Sequence, residues 1–181
     1  MKLAYYPGCT MKTQAANLEL AAVEALNLLG VEYVELERWN CCGTVFSMSS
    51  GERMHHLGSL RNLVRVQQAG YPEVVTMCAM CQNTLRQVNN EVRRDADSLA
   101  MMNRFMDEEP DYDGGIEVVH YLNLLRDQVG WDALKEKIVR PLDGLKVASF
   151  YGCTLLRPEE VSIDPLHEGV LEEFLLVVAQ H

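Results

Sequence analysis

The chain has no excess of basic residues: 16 Lys and Arg stand against 26 Asp and Glu, a formal net charge of −10 over 181 residues. It also shows no basic stripe with interleaved aromatics, so nucleic acid and anionic membrane surfaces are poor partners for it. No apolar run is long enough to span a bilayer. The N-terminal Lys2-Leu3-Ala4-Tyr5-Tyr6 lacks the apolar core of a secretory signal, so the expectation is a cytoplasmic protein that does not cross a membrane. No flavin or nicotinamide fingerprint occurs either, so electrons for any redox chemistry must come from a partner. In a reducing compartment, clustered cysteines favour metal or redox chemistry over structural disulfides.

Cysteine is what the chain does have. Of six, five fall in three groups: Cys9 in Tyr5-Tyr6-Pro7-Gly8-Cys9-Thr10, the adjacent pair in Asn40-Cys41-Cys42-Gly43, and Cys78-Ala79-Met80-Cys81. Neighbouring side chains diverge along a backbone, so bringing Cys41 and Cys42 to one point needs a sharp turn, which Gly43 permits. Five thiols in one domain read as a soft-metal site, most naturally an iron–sulfur site. Two other readings stay open. Four of the five could make a tetrahedral structural zinc site, with the fifth superfluous. A dithiol oxidoreductase using Cys78 and Cys81 would leave Cys9, Cys41 and Cys42 unexplained.

Hydrophobic periodicity places these groups. Residues 2–6, 31–36 and 73–77 read as strands. Residues 13–29 read as a helix with Leu18, Ala21, Ala22, Ala25 and Leu28 on its apolar face. Helices are also expected over about 52–69 and from near Cys81 to about Val92. Strand–helix alternation predicts an α/β fold with a parallel sheet and crossover helices, and the cysteines fall at the C-terminal strand ends, where such sheets bind ligands. Residues 93–115 are polar and acidic. Within them Met101, Met102, Phe105 and Met106 could form a helical face, better suited to packing than to a cofactor. Residues 116–129 read as an amphipathic helix, and 131–139 continue helical.

The opening then repeats. Residues 145–154, Leu-Lys-Val-Ala-Ser-Phe-Tyr-Gly-Cys-Thr, echo residues 2–10, which makes Cys153 the counterpart of Cys9 in a second unit. Residues 168–179 would be that unit's first helix. The expected organisation is a unit over 1–144 and an incomplete, truncated start of a second over 145–181.

The pattern Cys9, Cys41-Cys42-Gly43, Cys78-x-x-Cys81 resembles the cysteine-rich CCG domain, and most closely the B-type subunits of heterodisulfide reductases. Tyr5-Tyr6-Pro7-Gly8-Cys9, Trp39-Asn40-Cys41, Val118-Val119-His120-Tyr121-Leu122 and Tyr151-Gly152-Cys153-Thr154 extend the likeness. The resemblance implies paired Rossmann-like units, each holding a noncubane [4Fe–4S] cluster, that reduce the mixed disulfide of coenzyme M and coenzyme B. It implies that Cys9, Cys41, Cys42, Cys78 and Cys81 bind the first cluster and act through it, and that Cys153 belongs to a second, incomplete site. It further implies partner subunits, an iron–sulfur electron donor and a flavin-containing one. The second unit lacks its own double cysteine and C-x-x-C, so a zinc-binding assembly subunit or a non-catalytic electron-transfer module are the alternatives.

The remaining candidates have plainer readings. His120 could offer a proton or hydrogen bond near the site, but also fits a satisfied core histidine. His55 and His56 read as surface or half-buried helix residues. Lys12 could favour an anionic substrate or simply be solvated, and residues 107–113 read as a solvated acidic loop.

Overall fold

The structure is a computed structural model that describes residues 2–44 and 53–179. Its centre is a four-stranded, wholly parallel sheet made of β1 (Lys2–Tyr5), β2 (Glu32–Glu35), β3 (Glu73–Thr76) and β4 (Glu117–His120), in the order β2-β1-β3-β4. The fold is α/β and Rossmann-like, as the alternation of strands and helices predicted.

After β1, the short α1 (Gly8–Met11) and then α2 (Ala16–Leu28) carry the chain to β2 at the sheet edge. The chain then reverses. A single 3-10 turn (Arg53–His56) and α3 (Leu57–Gln68) pass back beyond β1 to β3, and α4 (Ala79–Arg94) and α5 (Ala96–Phe105) lead on to β4. The reversal puts a switch point at the C-terminal ends of β1 and β3, where crossover helices leave in opposite directions and open a crevice.

Side-chain alternation on β1 supplies both sides of the core. Ala4 and Tyr6 join Leu60, Leu63, Val64, Leu85 and Val88 in the layer beneath α3 and α4. Leu3 and Tyr5 join Leu26, Leu124 and Leu125 in the opposite layer. A strand buried on both faces has to be apolar without interruption, which is why residues 3–6 read as a short apolar run.

Three sequence expectations change. Residues 116–129 are not one helix: Glu117–His120 pairs with β3 in the register Val74↔Val118 and Val75↔Val119. Helical structure begins only with α6 (Tyr121–Asn123), which continues as a π-helical stretch, Leu124–Val129. The β-branched pair Val118-Val119 fits a pleated surface, and the open edge of β3 overrides the helical periodicity. Residues 145–150 form no strand; they run exposed, with Leu145 at 62%, Val147 at 54% and Phe150 at 89% of full exposure. A strand exists only by pairing, and no neighbouring strand lies beside this one among the described residues. On α2 the buried side is set by Leu26, with Ala22 and Val23 packed partly against the core, while Leu18 and Leu28 are exposed at 53% and 68%.

The stretch after β4 returns to the first layers. Beyond α7 (Trp131–Glu136), residues 161–164 are buried, and α8 (Val170–Ala179) places Phe174 against Trp131 with ring centroids 6.1 Å apart. Met102 and Met106 are core residues, whereas Met101 and Phe105 are exposed, so half of the methionine face packs. Among the described residues no helix is long and apolar enough to cross a membrane.

The start of β4 is closed by a buried polar knot. The Tyr112 hydroxyl donates to Asn89 Oδ1 at 2.8 Å and accepts from the Ile116 amide at 3.3 Å, while Asn89 Nδ2 donates to the Ile116 carbonyl at 2.6 Å. Tyr112→Phe leaves two buried partners unsatisfied and should cost about 1–3 kcal/mol. In urea the unfolding midpoint should fall with an unchanged slope; an unchanged midpoint would contradict this role.

Candidate metal centre

Each cysteine group leaves the C-terminal end of a different strand. Cys9 lies in α1 just after β1, Cys41 and Cys42 follow β2, and Cys78 is the N-cap of α4 after β3, with Cys81 in that helix's first turn. Sheet order therefore brings together thiols that are far apart in sequence. Cys9 Sγ and Cys41 Sγ are 3.9 Å apart, well beyond a disulfide bond, and all the cysteines are free. Cys81 forms side-chain hydrogen bonds with both Cys42 and Cys78. Cys9, Cys41, Cys42 and Cys81 all bear electrostatically on the Tyr6 hydroxyl. Cys9 and Cys41 are exposed, Cys78 is half-buried, and Cys42 and Cys81 are buried, so the group has an open face and a closed one. Cys153 stands apart, exposed on the turn that follows residues 145–150.

Two glycines make the convergence possible. Gly43 has φ +85°, the left-handed turn that directs the double cysteine inward. Gly8 has φ +71°, and a Cβ built there would lie 2.7 Å from Cys81 Sγ. Only a residue without a side chain lets the β1 turn pass this sulfur. The donor set, five cysteines converging at one sheet edge with the Gly8 turn packed against one of the sulfurs, suits a sulfur-ligated iron cluster. Among the described residues, no group of three or more His, Cys, Asp or Glu is arranged as a site for one metal ion.

The backbone of the double cysteine is held by neutral polar groups. The Tyr6 hydroxyl donates to the Asn40 carbonyl at 2.8 Å, and its ring stands edge-on to Trp39 at 5.9 Å between centroids. The Asn40 amide donates to Asn62 Oδ1 at 3.0 Å, and Asn62 Nδ2 returns to the Asn40 carbonyl at 2.9 Å. Asn40 Nδ2 donates to the carbonyls of Gly58 at 2.7 Å and Cys41 at 3.1 Å, while its Oδ1 accepts from Arg65 at 2.9 Å. Ser59 Oγ donates to the Cys42 carbonyl at 2.6 Å. Sequence reading did not single out Ser59 and Asn62. Their signal is polarity on the buried side of α3, where both are essentially inaccessible.

The electrostatics grade the thiols. Hydrogen bonding from Cys81, helped by the Cys81 and Met80 amides at the start of α4, draws the Cys78 thiol down to about 6. Hydrogen bonding from Cys81 likewise holds Cys42 at about 7, against the opposing effect of burial. Cys81, hydrogen-bonded with Cys42 and Cys78 and itself buried, is pushed strongly upward. The Gly43 amide pulls Cys41 down, but partial burial and the neighbouring Cys42 and Cys9 outweigh it and leave the thiol raised.

The other candidates are tied up elsewhere. His120 is buried, and burial depresses it to about 4 despite an opposing hydrogen bond to the Met77 backbone; its Nδ1 accepts from the Leu122 amide at 3.3 Å. It is neutral at pH 7 and bonded to backbone on both sides. Lys12 bonds Glu19 at 2.8 Å and Glu35 at 2.7 Å, so its ammonium is committed within the protein. His56 is buried rather than at the surface, with Nδ1 2.6 Å from Glu91 Oε2.

Comparison with known proteins follows the same lines. Residues 3–86 match the family CCG, cysteine-rich domain. The chain is 35% identical over 161 residues to the 8-methylmenaquinol:fumarate reductase membrane anchor subunit of Wolinella succinogenes, covering 88% of this chain and 55% of that protein. It is 32% identical over 161 residues to the B-type subunit of the ferredoxin/F420H2-dependent CoB-CoM heterodisulfide reductase of Methanosarcina acetivorans, covering 88% and 53%. With a protein of Archaeoglobus profundus named as similar to that B-type subunit it shares 27% identity over 179 residues, 96% of this chain and 60% of that one. The chain thus resembles the CCG cysteine-rich domain over residues 3–86. Its resemblance to the B-type subunits of heterodisulfide reductases holds over most of its length, and it spans little more than half the length of these relatives.

The thiol grading gives a direct test. In metal-free, reduced protein, iodoacetamide followed by peptide mass spectrometry should modify Cys78 already at pH 7, with a rate midpoint near 6, and leave Cys81 unmodified through pH 9. A Cys78 midpoint at the ordinary thiol value, about 8.5, would refute this arrangement.

Proposed function

We propose that this chain is the iron–sulfur subunit of a reductase complex, with Cys9, Cys41, Cys42, Cys78 and Cys81 holding a noncubane [4Fe–4S] cluster that delivers electrons to a disulfide. The observation that carries this reading is the convergence of five cysteines from three neighbouring strand ends, with Cys9 Sγ 3.9 Å from Cys41 Sγ and Cys81 hydrogen-bonded to Cys42 and Cys78. Similarity to proteins named as B-type heterodisulfide reductase subunits supports it. When bound, such a cluster supplies one electron at a time, so two transfers and two protons convert a mixed disulfide, such as CoM-S-S-CoB, into two thiols.

The protein's own contribution is positional. Gly8 and Gly43 let the sulfurs approach, and the Tyr6–Asn40–Asn62 network fixes the double cysteine without spending any donor on its sulfurs. Exposed Cys9 and Cys41 mark the side from which a small substrate approaches. Buried Cys42 and Cys81 face the core. Electrons arrive from partner subunits, an iron–sulfur donor and a flavin-containing subunit.

One finding favours a second reading. The relative at 35% identity is named as a subunit of a quinol:fumarate reductase. The same centre would then relay electrons onward to an acceptor that is not a disulfide.

Iron, sulfide and zinc analysis on anaerobically reconstituted protein, with EPR, tests the proposal. About four irons and four sulfides per chain are expected, falling to a small fraction in Cys41→Ala. A mixed disulfide added to the reduced protein should draw electrons from it and change the EPR spectrum. A loaded cluster indifferent to every disulfide would favour the relay reading. One tightly held zinc without sulfide would overturn both.

A further inference from the structure

Helix α4 begins at the metal centre and does a second job one turn on. Asn83, two residues after Cys81 and buried, donates through Nδ2 to the Thr154 carbonyl at 2.7 Å and the Arg157 carbonyl at 2.6 Å. Its Oδ1 accepts from Gln87 at 2.6 Å, which fixes the orientation of the amide. Those two carbonyls belong to the turn that follows Cys153, one inside it and one at its end. The turn is closed on itself, because the Cys153 carbonyl accepts from the amides of Leu156 at 3.2 Å and Arg157 at 2.8 Å. Just ahead of Cys153, the Tyr151 hydroxyl accepts from the Leu171 amide at 2.9 Å and donates to Glu172 at 2.6 Å.

Further along, the same face of α4 continues the grip. Gln82 Nε2 donates to the Val161 carbonyl at 2.9 Å and Arg86 to the Ser162 carbonyl at 3.3 Å, while Asn123 from α6 donates to the Ile163 carbonyl at 2.8 Å. The strap at residues 154–163 forms no ladder with the sheet. Side-chain donors clasp its carbonyls instead. Residues on the helix bearing Cys81 thus set where the turn of the sixth cysteine sits.

We propose that Asn83 is a positioning residue that locks the Cys153 turn to the helix of the metal centre, holding the sixth thiol at a fixed separation from the five-cysteine site. The functional meaning rests on the cluster reading above; the clasp itself does not. A thiol whose turn is pinned to the helix bearing Cys81 keeps a constant distance from the five-cysteine group.

The test uses the full chain. In cluster-loaded protein five thiols are engaged, so a nitroxide reagent labels Cys153 alone, and relaxation enhancement by the reduced, paramagnetic cluster reports the separation. One narrow distance is expected for the unaltered protein and a broad distribution for Asn83→Ala. Asn83→Asp, nearly identical in shape but without the N–H donors, should broaden it equally. Amide exchange at Arg157 and Ile163 should quicken about tenfold in both variants. Asn103→Ala removes a comparable pair of bonds, to the Tyr112 backbone, far from the strap, and should change neither readout. Unchanged distance and exchange in the Asn83 variants would overturn the proposal, as would an equal response in Asn103→Ala. Should no cluster assemble, all six thiols label and the proposed function falls, while amide exchange still decides the clasp.

Discussion

At Gly8 the backbone leaving the central strand runs so near Cys81 that a Cβ would sit 2.7 Å from its sulfur. Much of the site depends on that approach. Cys9 can reach Cys41 only if the β1 turn lies deep in the crevice, and the turn can lie that deep only without a side chain facing α4. The sheet order supplies the rest: β1 has β2 on one side and β3 on the other, so the three cysteine groups leave neighbouring strand ends. A site assembled this way needs no local sequence motif to close it, because folding the sheet brings the sulfurs together.

The surrounding polarity is arranged to leave the sulfurs available. Tyr6, Asn40, Asn62 and Ser59 satisfy backbone groups of the double-cysteine loop and one another. A buried polar group without a partner would cost a few kcal/mol; here the backbone partners are neutral, and the cation in the network, Arg65, is bonded to the Asn40 side chain rather than to a sulfur. The Cys78 and Cys42 thiols are lowered instead by Cys81 and by the first turn of α4. Thiolate is the form that ligates metal, and Cys81 has one S–H to give, so the metal-free fold favours the ligand state at Cys78 or Cys42 in turn.

Sequence was informative wherever one physical rule dominated. The double cysteine with Gly43 announced a tight turn, and φ +85° is what that turn requires. Strand–helix alternation placed all three cysteine groups at one sheet edge. It was uninformative where tertiary pairing decides: Val118-Val119 sits within a helical periodicity, yet an open edge on β3 turns it into a strand. Residues 145–150 repeat the pattern of β1, yet with no partner strand among the described residues they stay irregular and largely exposed. Ser59 and Asn62 were invisible because what they bond, the Asn40 and Cys42 backbone, lies about twenty residues away. Asn83 is the same case at longer range, since a buried asparagine reveals its purpose only once the carbonyls it holds are located.

The proposed cluster site needs the space that Gly8 leaves beside Cys81. Gly8→Ala places a methyl group against Cys81 in a left-handed turn, a strain of about 1–2 kcal/mol that a domain of this size should survive. The decisive measurement is iron and sulfide content of reconstituted Gly8→Ala protein beside its circular dichroism and urea midpoint. The prediction is a folded protein that binds well under half the iron of the unaltered chain. A folded variant that takes up the full complement, with the same EPR spectrum, would contradict it.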